Sequence, residues 1–128
     1  MIYDTSAILK IYSGKAKVIG DIISIPAIVK YELMNGINLQ IKKNGELNEK
    51  NKVLMEFLEN VDIIPIDSET TEIASGIWAE LRTKGKPIHD SDILIAATAI
   101  QMEDELITAD HDFKEIKKAS NGLAIKII

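Results

Sequence analysis

The chain has 128 residues, 46% hydrophobic and 27% charged, with 20 acidic against 15 basic side chains for a net charge of −5. That length makes residues 1–128 a single domain with its own core, and the absence of cysteine excludes disulfides and thiolate metal sites. The acidic balance excludes nucleic-acid binding by bulk charge alone. No apolar run reaches the ~18–20 residues needed to cross a bilayer, and no signal-peptide pattern precedes the first strand, so a cytoplasmic location is expected.

Met1–Tyr3 reads as a short buried strand, after which Asp4-Thr5-Ser6 caps a helix that stops near Gly14. Asp21–Ile25 is a second strand. Pro26 suits the first turn of a helix running to about Lys43, where Asn44-Gly45 ends it. Glu46 to about Asn60 is helical, with Leu47, Leu54 and Leu58 on one face. Val61–Ile66 is a strand that Pro65 pushes toward a sheet edge or a strand end. Asp67 or Ser68 caps the next helix, with Ile73, Ile77 and Leu81 as its apolar stripe, and Lys84-Gly85-Lys86-Pro87 breaks it. A helix from Asp90 to about Glu103, a strand Glu105–Thr108, a short helix around Phe113–Lys118 and a last strand Leu123–Ile128 complete the chain. The strands are continuous apolar runs that alternate with helices. The fold class is therefore α/β, a doubly wound parallel five-stranded sheet with helices on both faces.

Four acids stand where apolar runs begin or end: Asp4, Glu32, Asp92 and Asp110. In such sheets ligands bind beyond the carboxyl ends of the strands, which is where Asp4 and Asp110 fall. If the four converged they would repel one another unless cations lay between them, and an all-oxygen set suits hard Mg²⁺ or Mn²⁺ and phosphodiester chemistry. Each acid also has an ordinary reading. Asp4-Thr5-Ser6 serves equally well as a helix cap, Asp90-Ser91-Asp92 suits a helix N-terminus, and Asp110-His111-Asp112 taken alone is a simple turn. Glu32, in mid-helix, has only a solvent-facing position as its ordinary alternative.

Taken in order, Ile2-Tyr3-Asp4-Thr5-Ser6, Tyr31-Glu32-Leu33 with Gly36, Asp92-Ile93-Leu94-Ile95-Ala96-Ala97-Thr98-Ala99, and Leu106-Ile107-Thr108-Ala109-Asp110-His111-Asp112-Phe113 resemble a PIN domain. The nearest branch is VapC-like, the ribonuclease toxins of prokaryotic toxin–antitoxin pairs. The resemblance spans essentially the whole chain, including Gly122-Leu123-Ala124-Ile125 near its end. It implies that Asp4, Glu32, Asp92 and Asp110 hold one or two divalent ions, Mg²⁺ or Mn²⁺, with Asp112 as a fifth acid. Thr5 or Ser6 would orient Asp4, and the Thr108 hydroxyl would support the site. Between Asp90 and Asp92 it selects Asp92, which directly precedes the Ile-Leu-Ile-Ala-Ala run. The implied activity is endoribonuclease cleavage of RNA that leaves a 5′-phosphate and a 3′-hydroxyl. The implied assembly is a homodimer silenced by a small antitoxin that places an Arg or Lys among the acids.

Three other readings compete: a housekeeping RNA-processing nuclease on the same fold, a non-catalytic module binding RNA or a partner, and a phosphoacceptor signalling domain. The last needs a nucleophilic Asp at a central strand end and a lysine after a late strand, and Thr108 is followed by no such lysine. His89 and His111 are too few for a structural zinc site, and His111 reads as a surface turn residue. Trp78 reads as core or subunit interface, and Ile37, Leu39 and Ile41 as core or as a dimer or antitoxin groove. The basic clusters Lys42-Lys43, Arg82/Lys84/Lys86 and Lys114/Lys117/Lys118 each read as a solvated helix end.

Overall fold

A computed structural model describes all residues, Met1–Ile128. The strands are β1 (Ile2–Tyr3), β2 (Ser24–Pro26), β3 (Asp62–Ile64), β4 (Leu106–Thr108) and β5 (Ile125–Ile127). The helices are α1 (Thr5–Tyr12), α2 (Ala27–Asn44), α3 (Glu49–Asn60), α4 (Ser68–Thr83), α5 (Asp90–Gln101) and α6 (Phe113–Ala119). All strand pairs are parallel, in the order β3-β2-β1-β4-β5. The expected doubly wound five-stranded sheet is present. Its order also removes the phosphoacceptor reading, whose sheet type runs 2-1-3-4-5.

The chain moves outward from β1 through β2 to β3, then crosses back to build β4 and β5 on the other side of β1. Right-handed crossovers send helices of the two directions to opposite faces. Correspondingly, α1 packs against α2, and α4, α5 and α6 pack as a second group. Tyr12 of α1 meets Phe57 of α3 with ring centroids 5.6 Å apart. Tyr3, Ile25, Ile95, Leu106, Ile107 and Phe113 are among the fully buried side chains that fill the space between sheet and helices.

Several boundaries differ from the sequence reading. Every strand is only two or three residues long. Asp21–Ile23 lead into β2 rather than forming it, and Pro26 is its last, buried residue instead of the first turn of α2. Pro26 has φ −61° and ψ 149°, an extended conformation compatible with a strand end. Pro65 stops β3 after Ile64, on the edge strand where a missing N–H costs no ladder bond. α3 begins at Glu49 because the Asn48 side chain accepts the Asn51 N–H at 2.8 Å, a cap that leaves Glu46 and Leu47 outside the helix. Gly45 ends α2 at φ 83°, the left-handed conformation glycine adopts freely. Trp78 is outside the core: it is 43% exposed, and the Arg82 guanidinium lies 4.7 Å from its ring centre.

Candidate active site

The site grows from the register of the two central strands. Tyr3 pairs with Ile107, so Asp4 and Thr108 follow side by side at the carboxyl ends of β1 and β4. This is also where the strand order reverses, and the crevice of a doubly wound sheet opens at that point. Asp4 is almost fully buried. Its Oδ1 accepts the Ala7 N–H at 2.8 Å and so caps α1. The Ser6 hydroxyl reaches both carboxylate oxygens, at 2.8 and 2.9 Å, and the Thr108 hydroxyl donates to Oδ2 at 2.5 Å. The cap and the candidate acid are thus one side chain.

Thr108 and Ser6 carry the arrangement on to the next loop. Thr108 Oγ1 accepts the Asp110 N–H at 2.9 Å, and Ser6 Oγ accepts the Ala109 N–H at 2.9 Å. Each hydroxyl spends its proton on Asp4 and uses a lone pair to fix the backbone that leads to Asp110. Asp110 Oδ1 accepts the Asp112 N–H at 2.9 Å, an Asx turn closing the start of α6. Glu32, on the second turn of α2, is held by the Thr5 hydroxyl, which donates to its Oε1 at 2.8 Å. Adjacent residues Thr5 and Ser6 therefore hold different acids.

Asp92, in the first turn of α5, has no protein hydrogen-bond donor among the influences on its carboxyl. Burial pushes that carboxyl up to about 6, and the charges of Asp110, Glu32 and Asp4, in that order, push the same way against a small opposing effect of His89. Burial is also the chief cause that raises Asp4. The Thr108, Ala7 and Ser6 donors pull it back, and Asp110 adds to the rise. Carboxylates gathered in this way accumulate negative charge that a nearby cation would relieve.

Asp92 thus lies within electrostatic reach of Asp110, Glu32 and Asp4, and Asp4 within reach of Asp110. Asp112 stands apart. Its side chain is exposed, and its backbone N–H is what it supplies to the site. Asp90 faces elsewhere, in a groove with Ser75, Trp78 and Leu94. His111 is exposed in its turn. No three acidic or imidazole groups stand close enough to grip one ion directly as they are. Mg²⁺ keeps several of its waters and takes one or two carboxylates, so an all-oxygen group with free carboxylate atoms fits it. Sequence reading missed Ser6 as the bridge to Ala109, a contact between residues 103 positions apart. It also missed the cleft beside Glu32, where Asn48, Lys50 and Asn51 come close to Thr5 and Gly36.

A family model described as PIN domain matches residues 1–119. The ribonuclease VapC2 of Rickettsia felis is 33% identical over 100 residues, spanning 77% of this chain and 69% of that protein. A VapC ribonuclease of Pyrococcus furiosus is 30% identical over 115 residues, spanning 84% and 72%. Among solved structures, VapBC2 from R. felis bound to a DNA fragment from its promoter superposes with a TM-score of 0.79 at 25% identity, covering 100% of this chain and 99% of the matched one. FitAcB from Neisseria gonorrhoeae gives 0.69 at 27% identity, covering 97% and 94%. The chain belongs to the PIN domain family, in its VapC branch.

Proposed function

We propose that the chain is a divalent-metal-dependent endoribonuclease, the toxin of a VapBC-type toxin–antitoxin pair. What supports this reading is the place of Asp4 at the crevice where β1 and β4 end, together with a half-buried Asp92 carboxyl that feels the charges of Asp110, Glu32 and Asp4. Asp4, Glu32, Asp92 and Asp110 would hold Mg²⁺ or Mn²⁺, directly or through water. When bound, such an ion lowers the pKa of water toward neutrality and offsets charge on the scissile phosphate.

The chain's own residues supply position. Thr108, Ser6 and Ala7 fix both oxygens of Asp4, and Thr5 fixes one oxygen of Glu32, leaving Oε2 unengaged. Asp110 likewise keeps Oδ2 free. In the overall reaction water adds to phosphorus, the bond from phosphorus to the 3′-oxygen breaks, and that oxygen leaves as a 3′-hydroxyl with the phosphate on the 5′ side. The active form is a homodimer, and the inhibitor is a small antitoxin whose basic side chain competes for the carboxylates. No helix is long and apolar enough to cross a membrane, and a cytoplasmic location agrees with an RNA substrate.

The test is incubation of purified protein with structured RNA. Cleavage in Mg²⁺ that EDTA stops and Asp4→Asn removes, with 5′-phosphate and 3′-hydroxyl ends, is expected. Full cleavage by Asp4→Asn, or a 2′,3′-cyclic phosphate product, would refute the reading.

A further inference from the structure

Two basic groups that are far apart in sequence, Arg82/Lys84/Lys86 and Lys114/Lys117/Lys118, are neighbours in the fold. Lys86 Nζ stands 3.5 Å from Glu115 Oε2, and Lys118 Nζ stands 3.2 Å from Glu115 Oε1. One carboxylate thus holds a lysine from each group. The Lys118 hydrogen bond and charge, and then the charge of Lys86, keep Glu115 below the ordinary carboxylate range.

Both groups lead away from the acids. The connection between α4 and α5 passes through Lys84 and Lys86 into α5, whose first turn carries Asp92. Helix α6 begins just after Asp110. Lys114, Lys117 and Lys118 stand at i, i+3 and i+4 and so share one face of α6, while Phe113 and Ile116 turn into the core. The result is a continuous basic strip beside Asp92 and Asp110.

Helix ends account for part of this strip. Arg82 lies in the last turn of α4, and Lys117 and Lys118 in the last turn of α6, where the helix dipole favours a cation. Lys84 Nζ lies 3.7 Å from Glu80, an ordinary i, i+4 pair. Lys86 and Lys114 have no such reason. Lys86 is in a loop, and Lys114 is in the first turn of α6, where the dipole opposes a positive charge. Lys114 and Lys117 are exposed and form no ion pair, so neither gains from a partner. In a chain of net charge −5, this one strip gathers six of the 15 basic side chains, and only Glu80 and Glu115 pair with them. Cations held together without matching acids fit a polyanion better than they fit stability.

We propose that this strip binds the sugar–phosphate backbone of the RNA strand beyond the scissile phosphate, on the Asp110 side of the crevice. Lys86 and Lys114 take the phosphates nearest the acids, and Lys117 and Lys118 take those that follow along α6. The proposal rests on the nuclease reading of the acids. It adds that the substrate continues for several nucleotides past the cut, held there without any reading of bases. The antitoxin side chain assigned to the acids is basic, and the strip repels like charge, so RNA rather than the inhibitor is its occupant.

The experiment follows the anisotropy of a fluorescein-labelled single-stranded RNA of about twelve nucleotides, in EDTA, so that binding is read apart from cutting. Wild type is compared with the triple variant Lys86→Ala/Lys114→Ala/Lys117→Ala as NaCl is raised. The control is Lys15→Ala/Lys17→Ala/Lys43→Ala, which removes the same charge from exposed positions on other segments. Each phosphate contact to a single strand contributes about 0.7 to the slope of log affinity against log salt, so the strip variant should lose about 2 from that slope. The control should keep the wild-type slope. Lys86→Ala and Lys114→Ala alone should each lose about 0.7, which keeps the test decisive if the triple variant unfolds early. The proposal is overturned if the strip variants keep the wild-type slope, or if the control loses as much as the strip variant. It is also overturned if the strip variant binds RNA as wild type does and loses only the small protein encoded beside this gene, which would make the strip a protein surface. Strip-dependent binding by a chain that cuts no RNA would keep the strip and sink the nuclease reading. Cleavage of long and short RNA by the strip variant at wild-type rates would do the reverse.

Discussion

At Asp4 the Oδ1 atom closes the first turn of α1 while Oδ2 takes the Thr108 hydroxyl, so the side chain cannot turn without breaking the cap. Thr108 in turn holds the Asp110 N–H. Thr108→Val keeps the shape but removes a donor from a buried carboxylate and strips a backbone N–H of its acceptor. It should cost about 1–3 kcal/mol of stability and ~10–100-fold in RNA cleavage, the usual effect of disturbing a ligand's support. Denaturant unfolding and cleavage rates measure the two losses, and a loss of stability with full activity would mean that Thr108 supports only the fold.

Asp92 gives a pH prediction for the protein without divalent ions. Its folded pKa, about 6, lies above the ordinary value of 3.8. Between those values the folded state binds more protons than the unfolded one, so Asp92 lowers stability as pH rises through the window. Its deficit is complete above pH 6 or so. Asp92→Asn, which carries no charge, should match wild type near pH 4 and exceed it at pH 7 by about 1–2 kcal/mol once solvent screening is allowed for. Thermal unfolding of both proteins in EDTA across that range measures the gap. A gap that does not change with pH would remove the electrostatic account of this residue.

The element scale shows where sequence and structure part. α2 tolerates Gly36 in its interior, and with space for a Cβ there, Gly36→Ala should stabilise the protein by about 1 kcal/mol. Asn48→Ala, which uncaps α3, should destabilise it by a similar amount, ~1 kcal/mol. Urea midpoints of the two variants should therefore move in opposite directions. Helices were legible because caps and breakers act locally: Asp67 caps α4 through the Thr70 N–H, and Gly45 stops α2. Strand lengths were less so. An apolar run such as Val61–Ile66 records burial, whereas a strand needs a partner, and β2 offers one only to Asp62–Ile64. For Trp78 the structure removes the core alternative and leaves the subunit interface, since position beside an apolar stripe does not say which way the ring turns.

At the scale of the molecule, the sheet order brings together residues that are remote in sequence. Register alone sets Asp4 beside Thr108. The order of the acid-bearing segments was legible as a family pattern. The cleft was not, because it depends on how α1, α2 and α3 meet, and no single segment encodes that. An antitoxin that engages the acids should compete with divalent ions, so added Mg²⁺ should weaken the complex, which a binding titration at several Mg²⁺ concentrations measures.

The claim on which the rest depends is that Asp4, Glu32, Asp92 and Asp110 make one ion-binding site. Calorimetric titration of Mg²⁺ and Mn²⁺ into the metal-free protein, beside Asp4→Asn, Glu32→Gln, Asp92→Asn and Asp110→Asn, tests it independently of any RNA. Saturable binding by wild type is expected, weakened at least ~10-fold in every one of the four folded variants. Wild-type affinity in any one of them would remove that residue from the site, and wild-type affinity in all four would contradict the account.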